Sequence, residues 1–132
     1  MLEHDDDDRY ITEAVFTDNH YPLKIDFVDT SDDLFAFLLT CEKGLRPLPS
    51  VILLNHYAAP LHSVDILREL KQNSKYAHIP VVVLSGTSSR EIVQHCYAVG
   101  ANSFIQKPSS GADIHTKISA FVKYWFDTVE LP

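Results

Sequence analysis

Val51-Ile52-Leu53-Leu54-Asn55 and Val81-Val82-Val83-Leu84-Ser85 decide the fold. Each is an unbroken apolar run that stops at a polar residue. A strand with one wet face alternates apolar and polar side chains. A strand covered on both faces, as in a parallel sheet, reads as a continuous apolar run. Working outward, Ser103-Phe104-Ile105-Gln106 is a shorter candidate strand, and Leu23-Lys24-Ile25-Asp26-Phe27-Val28 alternates like a half-buried one.

Helical patterns fill the intervals. Asp8 to Phe16 reads as one helix. Ser31 to Glu42 is the next, with Ser31 as N-cap and Gly44 as its stop. Val64 to Gln72 is a third. Ser88-Ser89-Arg90-Glu91 has the capping-box spacing, after which Ile92, Cys96 and Val99 share a face until Gly100 closes the helix. The last helix runs from Ala112 to Val129, with Ile114, Ile118, Phe121, Val122, Trp125 and Val129 on one stripe. Strands alternating with helices predict an α/β fold: a doubly wound parallel sheet with helices on both faces. The 132 residues are expected to form a single domain over 1–132.

Bulk properties narrow the function. A net charge of −7 and the lack of a basic cluster argue against nucleic acid as a partner. No apolar run approaches the ~20 residues of a membrane span, and the acidic N-terminus is unlike a secretory signal. Cys41 and Cys96 lie far apart without metal-type spacing, which suits reduced thiols in a cytoplasmic protein. The charge run Asp5 to Asp8 suits a solvated helix N-terminus, where exposed N–H groups favour carboxylates.

Open parallel sheets bind ligands beyond the carboxyl ends of their strands. The residues expected there are Glu3, His4 and Asp5 before the first helix, Asn55 and His56 after one apolar run, Ser85 after the next, and Lys107 after Ser103–Gln106. Taken singly, each is also an ordinary turn residue.

Together with Ile66-Leu67-Arg68-Glu69-Leu70-Lys71, Ile79-Pro80 before Val81, and Gly100 through Lys107-Pro108, these stretches resemble the receiver domain of two-component signalling over nearly the whole chain. The ending, Tyr124 to Pro132, is similar to the subgroup that partners bacterial phytochrome-type histidine kinases. The resemblance implies a five-stranded sheet of order 2-1-3-4-5. Only Met1 and Leu2 precede Glu3, so its first strand is expected to be short or truncated. It also implies a cytoplasmic signalling module that is not an enzyme, whose partner is a histidine kinase or phytochrome-like sensor.

Receivers take a phosphoryl group onto an Asp, beside two acids that hold Mg²⁺. By resemblance, Ser85 and Lys107 match the phosphate-contacting pair and Phe104 matches the aromatic that changes rotamer on activation. The departures are in the pocket. The acceptor position is Asn55, and a neutral amide is not a usable nucleophile toward phosphorus. The acid pair aligns with Glu3-His4, so an imidazole replaces one carboxylate and Mg²⁺ binding is expected to be weak or absent. Ala59 stands where the family has Pro, and Ser63 where it has Gly. Lys107, facing no acceptor carboxylate, is expected to pair with Glu3 or Asp5 or to turn to solvent.

The expected function is therefore that of a pseudo-receiver acting by protein contact, with no cofactor. Two alternatives are a conventional phospho-accepting regulator carrying an Asp-to-Asn change at position 55, and a metal-binding module using His4, Asp5 and His56. A flavodoxin-like carrier is disfavoured because the Asp5–Asp8 loop would repel a phosphate. Tyr97, Tyr124 and Phe126 are expected to form a contact surface, with a two-fold homodimer as its form.

Overall fold

The computed structural model describes residues 1–57 and 60–132. The two apolar runs become β1 (Ile52–Asn55) and β2 (Val81–Ser85), and Ser103–Gln106 becomes β3. All three are parallel, in the order β1-β2-β3. Around them lie α1 (Asp6–Asp18), α2 (Ser31–Glu42), α3 (Ser63–Gln72), α4 (Arg90–Val99) and α5 (Gly111–Val122), which runs into a π-helical turn at Lys123–Thr128.

The expected five strands are three among the described residues. The other two are reduced to single bridges, with Leu2 pairing in parallel with both Val28 and Leu54. Leu2 N–H donates to Leu53 O at 2.8 Å, Asn55 N–H to Leu2 O at 3.1 Å, Glu3 N–H to Val28 O at 3.1 Å and Val28 N–H to Met1 O at 3.0 Å. Three residues, Met1 to Glu3, thus carry the whole of both ladders. The segment Leu23–Val28 is no strand because only its end has a partner. The order Val28, Leu2, β1, β2, β3 still follows the 2-1-3-4-5 expectation.

Successive strand residues point to opposite faces, and β2 shows it. Val81 and Val83 join one buried cluster with Leu34 and Leu38 of α2, Ile66, Leu67 and Leu70 of α3, and Cys96 of α4. Val82 joins another with Phe16 of α1 and Phe121, Val122 and Trp125 at the C-terminal end. All three valines are fully buried, each stabilising the fold by about 1.5–3 kcal/mol relative to exposure. The sheet is therefore covered on both sides, as the unbroken apolar runs require.

Helix ends refine the expectations. Thr30, not Ser31, caps α2, its hydroxyl accepting from Asp33 N–H, while Ser31 is a buried first-turn residue. Ser89, not Ser88, caps α4, and Ser88 instead donates to Gln106 Oε1 at 2.8 Å. α1 begins earlier than expected because Asp5 caps it, accepting from Asp8 N–H at 2.9 Å. Gly100 ends α4 at φ +119°, where an added Cβ would also stand 2.9 Å from Lys71 Cγ. The earlier start of α1 leaves its buried residues Thr12, Val15 and Phe16 within the expected helix, whereas the π-helical turn at Lys123–Thr128 breaks the expected continuous last helix. No helix among the described residues is long and apolar enough to cross a membrane.

Candidate functional site

The carboxyl ends of β1, β2 and β3, with the segment entering α1, bring Glu3, Asn55, Ser85 and Lys107 to one end of the sheet. Glu3 is fully buried, and it is the hub. Its Oε1 accepts from Asn55 Nδ2 at 2.8 Å and from Asp5 N–H at 3.2 Å. Its Oε2 accepts from Lys107 Nζ at 2.6 Å. Lys107 also donates to Asp8 Oδ2 at 2.8 Å. The Arg9 guanidinium holds the Glu3 carbonyl and Asp29.

This satisfies a carboxylate that would otherwise be costly to bury. Burial works to lower the Lys107 pKa, but the hydrogen bonds and charges of Asp8 and Glu3 outweigh it and hold the ammonium above its ordinary value. Lys107 thus pairs with Glu3, one of the two expected carboxylates. Its second partner is Asp8 rather than Asp5, because Asp5 is engaged as the α1 cap. Asp8 is the site residue that the sequence reasoning missed. The signal was its place in the Asp5–Asp8 run, one helical turn beyond the cap.

Asn55 is buried, and its Oδ1 accepts from Tyr57 N–H at 3.2 Å. Its amide therefore donates to the carboxylate on one side and accepts from backbone on the other, a role that a carboxylate at this position could not fill. Ser85 is buried, its hydroxyl receiving Thr87 N–H at 3.2 Å, and its carbonyl accepts Lys107 N–H at 2.7 Å, which ties β2 to the lysine loop. His4 is exposed, its Nδ1 3.9 Å from Glu3 Oε1.

The donor set fits Mg²⁺ poorly. Glu3 has both oxygens occupied by donors, Asp5 is used as a cap, and His4 offers an imidazole to a hard cation. The His4, Asp5 and His56 metal reading also fails: among the described residues no group of three His, Cys, Asp or Glu side chains is placed to hold a metal ion. His56 turns inward instead, its Nδ1 2.6 Å from the Ser63 hydroxyl. Burial, helped by the charge of nearby His62, pushes its pKa down. Ser63, expected as a departure from Gly, is thus the partner of a buried histidine. The Ala59 departure lies outside the described residues.

Phe104 is partly buried against the cluster under α3 and α4, and its N–H donates to the Tyr97 hydroxyl at 3.1 Å. The position expected to switch and one expected interface residue are therefore joined. Tyr97 and Tyr124 are 48% and 53% exposed. Phe126 differs from expectation: it packs into the second cluster, edge-on to Phe121 at 6.2 Å. The π-helical turn rotates it inward relative to a continued α-helix.

The family model for the response regulator receiver domain matches residues 3–119. The chain is 26% identical over 102 residues to the probable methanogenesis regulatory protein FilR2 of Methanothrix harundinacea, covering 77% of this chain and 66% of that one. It is 30% identical over 86 residues to response regulator Rcp1 of Synechocystis, covering 65% and 58%. The match thus spans less than two thirds of either curated relative. Among solved structures it is similar to response regulator RPA3017 in red light signaling of R. palustris, with a TM-score of 0.90, 25% identity and coverage of 99% and 94%. The Mn(2+)-bound form of Rcp1 superposes with a TM-score of 0.84 at 26% identity, covering 99% and 95%.

Proposed function

This chain belongs to the response regulator receiver domain family, and from that premise we propose that it is a receiver that accepts no phosphoryl group and passes its signal by protein contact. One observation carries the reading: the Asn55 amide donates to Glu3, whose other oxygen is held by Lys107. In a phospho-accepting pocket an Asp would stand at position 55 and the lysine would face it. Here the acceptor is a neutral amide, and the lysine is bound to Glu3 and Asp8 instead. The pocket is closed on itself as a structural network.

Divalent cations are accordingly bound weakly, although one similar protein is described as Mn(2+)-bound. The chain acts as one domain over residues 1–132. Its partner is a phytochrome-type histidine kinase, a reading supported by likeness to a regulator in red light signaling. The two free, buried cysteines suit a reducing, cytoplasmic setting. Contact runs through the face bearing Tyr97 and Tyr124, whose exposed rings suit the centre of an interface, and a two-fold dimer is its form.

The test is a ¹H–¹⁵N NMR titration with Mg²⁺ and beryllofluoride, a mimic of the bound phosphoryl group. The amide signals of Asn55, Ser85 and Lys107 are expected to stay in place. Saturable shifts confined to these three would overturn the reading.

A further inference from the structure

A pocket of about 100 Å³ lies between the sheet and the helix pair α1 and α5. Leu84 and Ile105 line it from the sheet, Ile11 and Phe16 from α1, and Ile114 and Phe121 from α5. Leu84 sits on the middle strand, between Asn55 and Ile105. Val82, two residues earlier, points the same way and is fully buried in the second cluster. Leu84 is only half-buried and joins neither cluster. The helices that cover Val82 therefore do not close over Leu84. Protein interiors leave few voids larger than a water molecule, so a pocket of this size departs from ordinary packing.

Five polar side chains also line the pocket, Glu3, Asp8, Thr12, Lys107 and Lys117, and each has a partner in the protein. Glu3 accepts from Asn55 and Lys107, and Lys107 donates to Asp8 as well. The Thr12 hydroxyl donates to Asp8 O at 2.7 Å, and Lys117 Nζ donates to Gln106 O at 2.7 Å. The carboxylates of Glu3 and Asp8 balance the ammonium groups of Lys107 and Lys117, so the lining carries no net charge to attract an ion. An ordered water needs about 2–4 polar partners. The wall made by Leu84, Ile105, Ile114 and Phe121 offers it no polar side chain.

We infer that this pocket binds a small, neutral, apolar molecule no larger than a single hydrocarbon ring. The lining sets the chemistry, because its charges are matched and the rest of its wall is aliphatic and aromatic. The volume sets the size: dry cavities of roughly 150 Å³ lined by Leu, Ile and Phe take up benzene or xenon. Glu3, Asp8 and Lys107 form one edge of the pocket. An occupant displaces water from beside the Lys107 ion pairs and strengthens them by lowering the local dielectric. Occupancy thereby acts on the hub, as an input to the domain separate from phosphoryl transfer. This inference holds whether or not Asn55 accepts a phosphoryl group.

The probe is benzene, followed by ¹H–¹³C methyl NMR, ¹H–¹⁵N amide NMR and thermal unfolding. The controls are 1,4-dioxane, a ring of similar size with two ether oxygens, and indole, whose fused rings exceed the pocket. The expected result with benzene is saturable 1:1 shifts of the Leu84, Ile105 and Ile114 methyl signals and of the Lys107 amide. Tm should rise with benzene concentration, as binding to the folded state requires, and neither control should reproduce these effects. Leu84→Phe fills the space and should weaken benzene binding by about tenfold or more, with far-UV circular dichroism unchanged. If that variant unfolds, Ile114→Phe, on the helix side of the pocket, serves the same purpose. Absence of saturable methyl shifts would overturn the inference. So would dioxane or indole binding as tightly as benzene, shifts that grow linearly across both clusters, or benzene binding undiminished by a filling variant. Methyl shifts without the Lys107 amide shift would overturn its action on the hub.

Discussion

Asn55→Asp tests the network at its hub. The substitution replaces a donor 2.8 Å from Glu3 Oε1 with a second carboxylate. Two unit charges at that spacing repel by about 6 kcal/mol at an effective dielectric of ~20. Lys107 can turn to share its charge between them, which offsets part of this. The lost buried hydrogen bond adds about 1–3 kcal/mol. The net expected cost is about 3 kcal/mol at neutral pH, or about 10 °C in Tm for a chain of this size. The new carboxyl is held above its ordinary pKa by Glu3, so the folded state prefers it protonated. The penalty is then present above that raised pKa and fades as pH falls through it. Calorimetry of both proteins from neutral to about pH 5 measures this. A variant as stable as the parent at neutral pH, or one whose deficit grows on acidification, would refute the network. By the same reasoning, Asn55→Asp alone should regain phosphoryl uptake poorly, and adding His4→Asp should improve it by supplying the second acid.

Three further outcomes are expected. Lys107→Met leaves the buried Glu3 carboxylate without its cation and should cost about 3 kcal/mol in urea unfolding, at the low end for a broken buried pair because Asn55 and Asp5 N–H still solvate it. The Lys107 contribution itself, from a pKa raised above 10.5, should be whole below that value and lost only as pH rises through the higher folded one. His56 has its pKa pushed below 6.5 by burial and by His62, so the folded state prefers it neutral, and stability should fall as pH drops below 6.5; His56→Gln should flatten the Tm-against-pH curve there. Tyr97→Ala with Tyr124→Ala should shift the light-scattering mass from dimer to monomer without unfolding, and a monomeric parent at high concentration would exclude the self-association.

The parts of the fold legible in the sequence are those where one local pattern decides the outcome. The apolar runs Val51–Leu54 and Val81–Leu84 read as strands lying between two helical layers, and β1 and β2 form on them, while Gly100 reads as a helix stop and ends α4. Leu23–Val28 misled because alternation describes a side-chain pattern, whereas a strand also needs a partner along its length, and Met1–Glu3 reaches only its end. The site was legible where residues sit at strand ends: Glu3, Asn55, Ser85 and Lys107 converge as the topology requires. Asp8 was not, because its bond to Lys107 spans 99 positions and depends on where α1 starts, which Asp5 sets by capping. The His56–Ser63 pair was hidden for a related reason: a buried histidine and a surface one have the same letter. Phe126 turned inward through a π-helical turn that no helical-wheel pattern anticipates.

The central claim is that this receiver takes no phosphoryl group. Its most direct test is the intact mass of the protein after incubation with acetyl phosphate and Mg²⁺, with a phospho-accepting receiver treated in parallel. The account predicts an unchanged mass here while the parallel receiver gains one phosphoryl group; a stoichiometric gain that maps to the pocket of Glu3, Asn55 and Lys107 would contradict it.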